Sequence, residues 1–209
     1  MSRSIALYHH LWEFNEGRGV MALLHGTGGD ETSLLPIART VAPGAALLSL
    51  RGNVRNDMGD LRFIAGGPPF AYRAADVKPR AHDVADFLNA AAARYGFDLE
   101  DLTVMGYSNG GTLTGGMLLT RPEVVRRAVL FRPMVPMELP PDHNLAGKEV
   151  LILGGRRDDI CPPEDSERLA QMLTLAGARV RLRWRDAGHL LHPDDFEDVK
   201  EWLARDEEG

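Results

Sequence analysis

Gly106-Tyr107-Ser108-Asn109-Gly110 is the stretch whose reading decides the fold. A short β-type run, Leu102-Thr103-Val104-Met105, precedes it, and a stretch with helical character, Thr112 to Leu119, follows it. Between a strand and a helix, G-x-S-x-G reads as a nucleophile elbow, a tight turn that lifts a serine hydroxyl into solvent. The flanking glycines suit that geometry, because the serine backbone is strained and a side chain at either position would meet the neighbouring strand or helix. The pentad alone is weak: with six serines and 22 glycines in 209 residues, roughly 0.07 such matches arise by chance. The reading depends on what else the chain supplies, and in which order.

Apolar β-like runs recur outward from the elbow: Ile5–Leu7, Val20–Leu24, Ala45–Leu50, Leu102–Met105, Arg127–Phe131, Glu149–Leu153 and Val180–Trp184. Several are continuously apolar, as expected of strands covered on both faces. Helical stretches lie between most of them. Ser33 reads as a helix N-cap that places Pro36 at the third helical position. Pro79 to Tyr95 carries an apolar stripe at Val84, Ala85, Phe87, Leu88, Ala91 and Ala92, closed by Gly96. Pro163–Ala176 and Pro193–Ala204 each begin with proline and early acids. Alternating strands and helices predict a mainly parallel sheet with helices on both faces, and the length suits a single domain over 1–209. The segment from Arg51 to Lys78 is rich in Gly, Pro and Arg and reads as a binding loop, with Phe63, Ile64, Phe70 and Tyr72 in need of something to cover.

Composition narrows the function classes. The net charge is -6 with scattered basic residues, which argues against a nucleic-acid partner. No apolar run approaches the roughly 18 residues of a membrane span, and the N-terminus lacks the pattern of a signal peptide. A cytoplasmic location is the expectation. Cys161 is the one cysteine, so an internal disulfide and a cysteine-rich metal site are excluded. It reads as a packing residue.

A serine hydroxyl needs a base, and the base needs an orienting acid. After the run Glu149–Leu153 comes Gly154-Gly155-Arg156-Arg157-Asp158-Asp159, and after Val180–Trp184 comes Arg185-Asp186-Ala187-Gly188-His189. The order is serine, acid, histidine, with both loops leaving the carboxyl ends of strands. Ser108, Asp158 and His189 are the candidate triad, with Asp159 and His192 as rivals for the acid and the base. His192 also stands where it would cap the last helix. Two pointed donors are needed for an oxyanion. The backbone N–H groups of Asn109 and of Thr27, in the loop His25-Gly26-Thr27-Gly28-Gly29-Asp30, are the candidates. The four glycines Gly110, Gly111, Gly115 and Gly116 weaken the helix after Ser108 by about 1 kcal/mol each, which predicts close packing of that helix on the sheet. No cofactor or metal is called for.

The motifs His25 to Glu31, Leu50-Arg51-Gly52-Asn53, Gly106 to Gly110 and Asp158-Asp159-Ile160-Cys161-Pro162-Pro163 resemble the bacterial phospholipase/carboxylesterase family of α/β-hydrolases. The likeness is strongest to its small hydrolases linked with quinone or metal stress, and more distant to acyl-protein thioesterases. It covers nearly the whole chain. It implies an α/β-hydrolase fold without a large lid domain and a carboxylesterase-type serine hydrolase with Ser108, Asp158 and His189 as its triad. Relatives often have a proline after the acid, where this chain has Asp159. A small-molecule ester of short to medium acyl chain is the expected substrate, with a thioester or a non-catalytic binding role as alternatives. Phe70, Tyr72, Arg73, Arg132, Met134, Leu190 and His192 are candidate pocket residues, Arg132 or Arg73 as an anchor for an acidic substrate. A monomer or homodimer is expected, with Ile5–Leu7 and Val20–Leu24 as a possible dimer edge.

Overall fold

The computed structural model describes residues 3–17, 19–67 and 72–204. Nine strands are assigned in them: β1 (His10–Glu13), β2 (Val20–Leu24), β3 (Ala46–Leu50), β4 (Val54–Arg55), β5 (Leu61–Arg62), β6 (Leu102–Tyr107), β7 (Arg127–Phe131), β8 (Glu149–Gly155) and β9 (Arg179–Arg185). The main helices are α1 (Leu35–Val41), α2 (Ala74–Tyr95), α3 (Asn109–Thr120), α4 (Pro163–Leu175) and α5 (Pro193–Ala204). Seven strands form one sheet in the order β1-β3-β2-β6-β7-β8-β9. All its pairings are parallel except β1 against β3. The fold is that of an α/β-hydrolase.

Burial explains the sequence pattern. β2, β3 and β8 are buried at every residue, because helices cover both faces. Alternation then divides each strand between two cores. Val20, Ala22 and Leu24 pack with α2, α3 and α4, while Met21 and Leu23 pack with α1 and α5. The edge strand β9 differs: exposed arginines at 179, 181 and 183 alternate with half-buried Val180, Leu182 and Trp184. Charge of this kind blunts a sheet edge against further pairing.

Five local expectations are corrected. Ile5–Leu7 lies in a 3-10 turn (Arg3–Leu7), and the outer strand is β1. β2 sits between β3 and β6 inside the sheet, so it offers no dimer edge. Ser33 does not cap α1. Asp30 accepts from Thr32 N–H at 2.8 Å and from the Thr32 hydroxyl at 2.6 Å, and Ser33 bonds back to Asp30. That local turn delays the helix until Leu35. α2 begins at Ala74 and contains Pro79 within it, because the buried stripe extends back to Val77. Finally, the described part of 51–78 (51–67 and 72–78) is not one long loop, since its last residues from Ala74 belong to α2. β4 and β5 form a small antiparallel hairpin, and Phe63 and Ile64 are fully buried.

Candidate active site

Ser108 lies between the end of β6 and the start of α3, with φ 53° and ψ -112°. This conformation is strained for a residue with a Cβ. It is pinned from both sides: Ser108 N–H donates to Phe131 O at 2.8 Å, and its carbonyl accepts from Thr112 N–H at 2.8 Å and the Thr112 hydroxyl at 3.0 Å. The turn also demands glycine. A Cβ on Gly106 would lie 2.5 Å from Gly110 O, and one on Gly110 would lie 2.1 Å from Leu24 O. Gly111 and Gly116 are close-packed as well, whereas Gly115 meets nothing nearer than 3.5 Å. The close packing on the sheet expected of all four glycines therefore holds for Gly110 and Gly111, while Gly116 packs against Val77 of α2.

The loops after β8 and β9 carry Asp158 and His189 to the same place. His189 Nε2 is 2.9 Å from Ser108 Oγ, and His189 Nδ1 is 2.9 Å from Asp158 Oδ2. Asp158 is buried, while Asp159 is exposed. The other oxygen of Asp158 accepts N–H bonds from Ile160 at 3.0 Å and Cys161 at 2.8 Å. Burial works against the carboxylate charge, but the bonds from His189, Cys161 and Ile160 prevail and hold Asp158 below the ordinary carboxylate range.

β2 and β6 pair in register through Leu24 and Gly106, so the loops that leave them emerge side by side. A Cβ on Gly26 would touch Tyr107 Cδ1 at 2.9 Å and Ser108 Cβ at 3.4 Å. Glycine at 26 thus lets the turn bearing the exposed Thr27 lie against the serine. Asn109 opens α3, where the first backbone N–H groups have no intrahelical acceptor.

Asn109 also makes side-chain contacts that the sequence did not reveal. Its buried side chain accepts from Phe63 N–H at 2.8 Å and Ile64 N–H at 3.1 Å. It donates to Ile64 O at 3.1 Å and to the Tyr72 hydroxyl at 2.9 Å. Asn109 thereby joins the serine turn to the 61–72 segment. His25 is a comparable strut: it bonds Gly26 O at 2.6 Å through Nδ1 and accepts Gly52 N–H at 2.9 Å on Nε2. Burial pushes its pKa below the ordinary value, so the neutral ring matches these two bonds.

Cys161 is buried, as suits a packing residue, and lies beside the serine. Its sulfur, an Asp158 oxygen and a His189 nitrogen lie within 4.8 Å of one another. Burial and the nearby Asp158 carboxylate raise its pKa to about 12, with a Ser108 hydrogen bond opposing. Although these three have the residue types of a metal site, the oxygens of Asp158 are already committed to His189 and to two backbone N–H groups, and the thiol is held protonated. The donor set fits proton transfer better than metal ligation.

The candidate pocket residues separate. Tyr72 and Met134 line one cavity of about 470 Å³, together with Met137, Leu139 and Asp165. Met134 N–H donates to Thr112 Oγ1 at 3.0 Å, which ties this cavity to the first turn of α3. Leu190 is exposed. His192 accepts from Asp194 N–H at 3.3 Å and does cap α5. Arg73 is an exposed partner of Asp76. Phe70 lies outside the described residues. Arg132 is no substrate anchor: its side chain is fully buried and paired with the equally buried Asp195 at 2.7 Å.

Comparison with known proteins gives the family and the fold. A model of the dienelactone hydrolase family matches residues 71–204. The chain is 35% identical over 196 residues to the Bacillus subtilis hydrolase MhqD, covering 92% of this chain and 96% of that one. It superposes on a Bacillus cereus carboxylesterase with TM-score 0.90 and 37% identity, over 97% of this chain and 96% of the other. A Mesorhizobium loti carboxylesterase gives TM-score 0.87 and 36% identity, over 94% and 93%. No helix among the described residues is long and apolar enough to cross a membrane.

Proposed function

The chain belongs to the dienelactone hydrolase family, and from that premise we propose that it is a serine hydrolase that cleaves small carboxylic esters through an acyl-enzyme. The observation that carries this reading is the unbroken relay of two 2.9 Å contacts from Ser108 through His189 to Asp158. The ionised Asp158 favours the tautomer with hydrogen on Nδ1, which leaves the Nε2 lone pair facing the serine hydroxyl. Ser108 Oγ attacks the ester carbonyl and gives its proton to His189. The negative oxygen of the tetrahedral adduct is received by the backbone N–H groups of Thr27 and Asn109. His189 then protonates the departing alkoxide, and the acyl group remains on Ser108. A water molecule repeats the sequence in reverse roles and releases the acid. The chemistry requires no cofactor.

The cavity under Tyr72 and Met134 supports a substrate of modest size. About 470 Å³ falls in the range of roughly 300–1,000 Å³ typical of small-molecule sites. Its apolar part, Met134, Val135, Met137 and Leu139, suits a short to medium acyl chain, and Lys78, Glu138, Asp165 and Arg168 add charge to the same walls.

The test is hydrolysis of p-nitrophenyl acetate, butyrate and octanoate by the wild type and by Ser108→Ala. Activity lost in the variant is expected, with the acyl preference set by the cavity. A folded wild type that hydrolyses none of the three and resists fluorophosphonate labelling would overturn the reading.

A further inference from the structure

We infer that Arg132 and Tyr107 are positioning residues: together they clamp the main chain on both sides of His189 and so aim its imidazole between Asp158 and Ser108. The inference rests on the serine-hydrolase reading, because it assigns these residues a role in that reaction.

The loop after β9 has no regular structure of its own to fix it, yet four consecutive carbonyls are each held. Ala187 O accepts Arg157 N–H at 3.0 Å. Gly188 O accepts Arg132 Nε–H at 3.3 Å. His189 O accepts the Tyr107 hydroxyl at 3.2 Å. Leu190 O accepts Arg132 Nη2–H at 3.3 Å. The carbonyl of the histidine and those of both its neighbours are therefore gripped by just two side chains, Arg132 and Tyr107.

Both side chains are themselves held. A guanidinium has five N–H donors in a rigid fork, and Arg132 uses all five. Besides the two loop carbonyls, Nη1 donates to Leu153 O at 2.8 Å and to Asp195 Oδ1 at 3.4 Å, and Nη2 to Asp195 Oδ2 at 2.7 Å. Asp195 also accepts His192 N–H at 2.9 Å, so the far side of the loop is fastened to the same ion pair. Arg132 adopts φ 48° to send its side chain beneath the loop, a conformation with a steric cost. Tyr107 is the residue before the nucleophile, so its hydroxyl links the serine strand directly to the histidine loop. Gly155 leaves the room required: a Cβ there would stand 2.6 Å from Gly188 O, 2.8 Å from Ala187 O and 3.2 Å from Arg132 Nε.

Stability alone does not account for this arrangement. A buried ion pair is often replaceable by apolar residues without loss of stability. Apolar residues would not grip Gly188 O and Leu190 O, nor would a lysine reproduce the fork. Orientation of the loop is what the guanidinium supplies.

The experiment compares the wild type with Tyr107→Phe and Arg132→Lys. The readouts are kcat and KM for p-nitrophenyl butyrate, normalised to titrated active sites, and the low-field Nδ1–H proton resonance of His189. Tyr107→Phe, which loses one hydrogen bond, is expected to lower kcat by roughly three- to tenfold. Arg132→Lys is expected to lower it by about 100-fold. KM should stay within about twofold in both, and the resonance should shift or broaden. If Arg132→Lys fails to fold, Tyr107→Phe carries the test alone. Unchanged kcat per titrated site together with an unchanged resonance would overturn the clamp. Failure of the underlying reading looks different: the wild type itself would show no Ser108-dependent hydrolysis, while the resonance would still report whether the two side chains orient His189.

Discussion

Gly110→Ala sets a general rule against a particular contact. Alanine in a helix interior is normally more stable than glycine by about 1 kcal/mol, and Gly110 has no left-handed φ to forbid it. Its Cβ, however, would lie 2.1 Å from Leu24 O, 2.6 Å from Leu24 C and 2.7 Å from His25 O. A close carbon–oxygen contact is normally about 3.3 Å or more, so α3 must retreat from β2 by roughly 1.2 Å. β2 cannot yield easily, since it is paired on both sides. Overpacking of this kind costs about 3 kcal/mol at the upper end of its usual range, leaving a net loss of about 2 kcal/mol. For a chain of this size that lowers Tm by roughly 4–8 °C. Because the helix start carries Ser108 and Asn109, a displacement near 1 Å is expected to reduce kcat/KM by about 100-fold. Gly115→Ala in the same helix is the control: its nearest contacts, Leu169 Cδ2 and Pro136 Cγ, are at an ordinary 3.5 Å. It should gain up to about 1 kcal/mol with activity unchanged. Calorimetry and p-nitrophenyl butyrate hydrolysis measure both variants. A Gly110→Ala protein as stable and as active as Gly115→Ala would refute the steric argument.

Asn109→Ala keeps the backbone N–H beside Ser108 but orphans Phe63 N–H, Ile64 N–H and Ile64 O. With buried unpaired groups at about 1–3 kcal/mol each, a loss of several kcal/mol is expected in urea unfolding, along with faster amide exchange at Phe63 and Ile64; exchange that stays slow would contradict it. Burial holds His25 below its ordinary pKa of 6.5, so the unfolded chain takes up that proton first as pH falls. The corresponding stability is complete above pH 6.5 and declines from there toward the folded-state pKa. His25→Gln, whose amide oxygen still has the reach to accept from Gly52, should flatten this part of a Tm-against-pH profile, and an unchanged slope would assign it to other groups. Asp158→Asn should lower kcat by about 10⁴-fold by inverting the histidine tautomer, whereas Asp159→Asn should leave kcat nearly unchanged; equal losses would mean that the acid has been misidentified.

What the sequence disclosed followed the range of the interactions. Continuous apolar runs marked β2, β3 and β6 to β8 because strands buried on both faces leave little freedom in composition, whereas β9 showed itself by the alternation of arginine with Val180, Leu182 and Trp184. Helix α5 was legible to the residue, since Pro193 and the acids after it mark its start. Local competition spoiled two boundaries. Asp30 closes a local turn with Thr32 and Ser33, which directs the Ser33 hydroxyl back to Asp30 and away from the first amides of α1. Pro79 reads as a helix start, yet it and Ala75, whose carbonyl loses its helical partner, are both exposed, so the lost bond is open to solvent. The residues that sequence reasoning missed or misassigned all depend on distant partners. An arginine at the carboxyl end of a strand reads equally well as a substrate anchor or as a buried strut. Only Asp195, 63 positions away, decides for Arg132. Asn109 likewise answers to a segment some 45 residues earlier, and no local pattern announces that contact.

These distant partners also explain how a strained serine is kept where it is. Ser108 at φ 53° costs of order 1–3 kcal/mol, and its own short turn offers no compensation. The compensation comes from three directions: Phe131 O on the neighbouring strand, Thr112 one helical turn on, and the side chain of the next residue, Asn109, reaching into the 61–72 segment. Each anchor is a backbone bond or a buried side chain with its donors and acceptors filled. Relaxing the serine would break several of them together. The strain is therefore stable because it is shared by the sheet, the helix and the loop at once. The same logic holds at His189, where the grip comes from Arg132 and Tyr107 rather than from the loop itself. Rigidity at this site is a property of the elements that converge on it, which is why short, glycine-rich turns suffice to carry the three side chains.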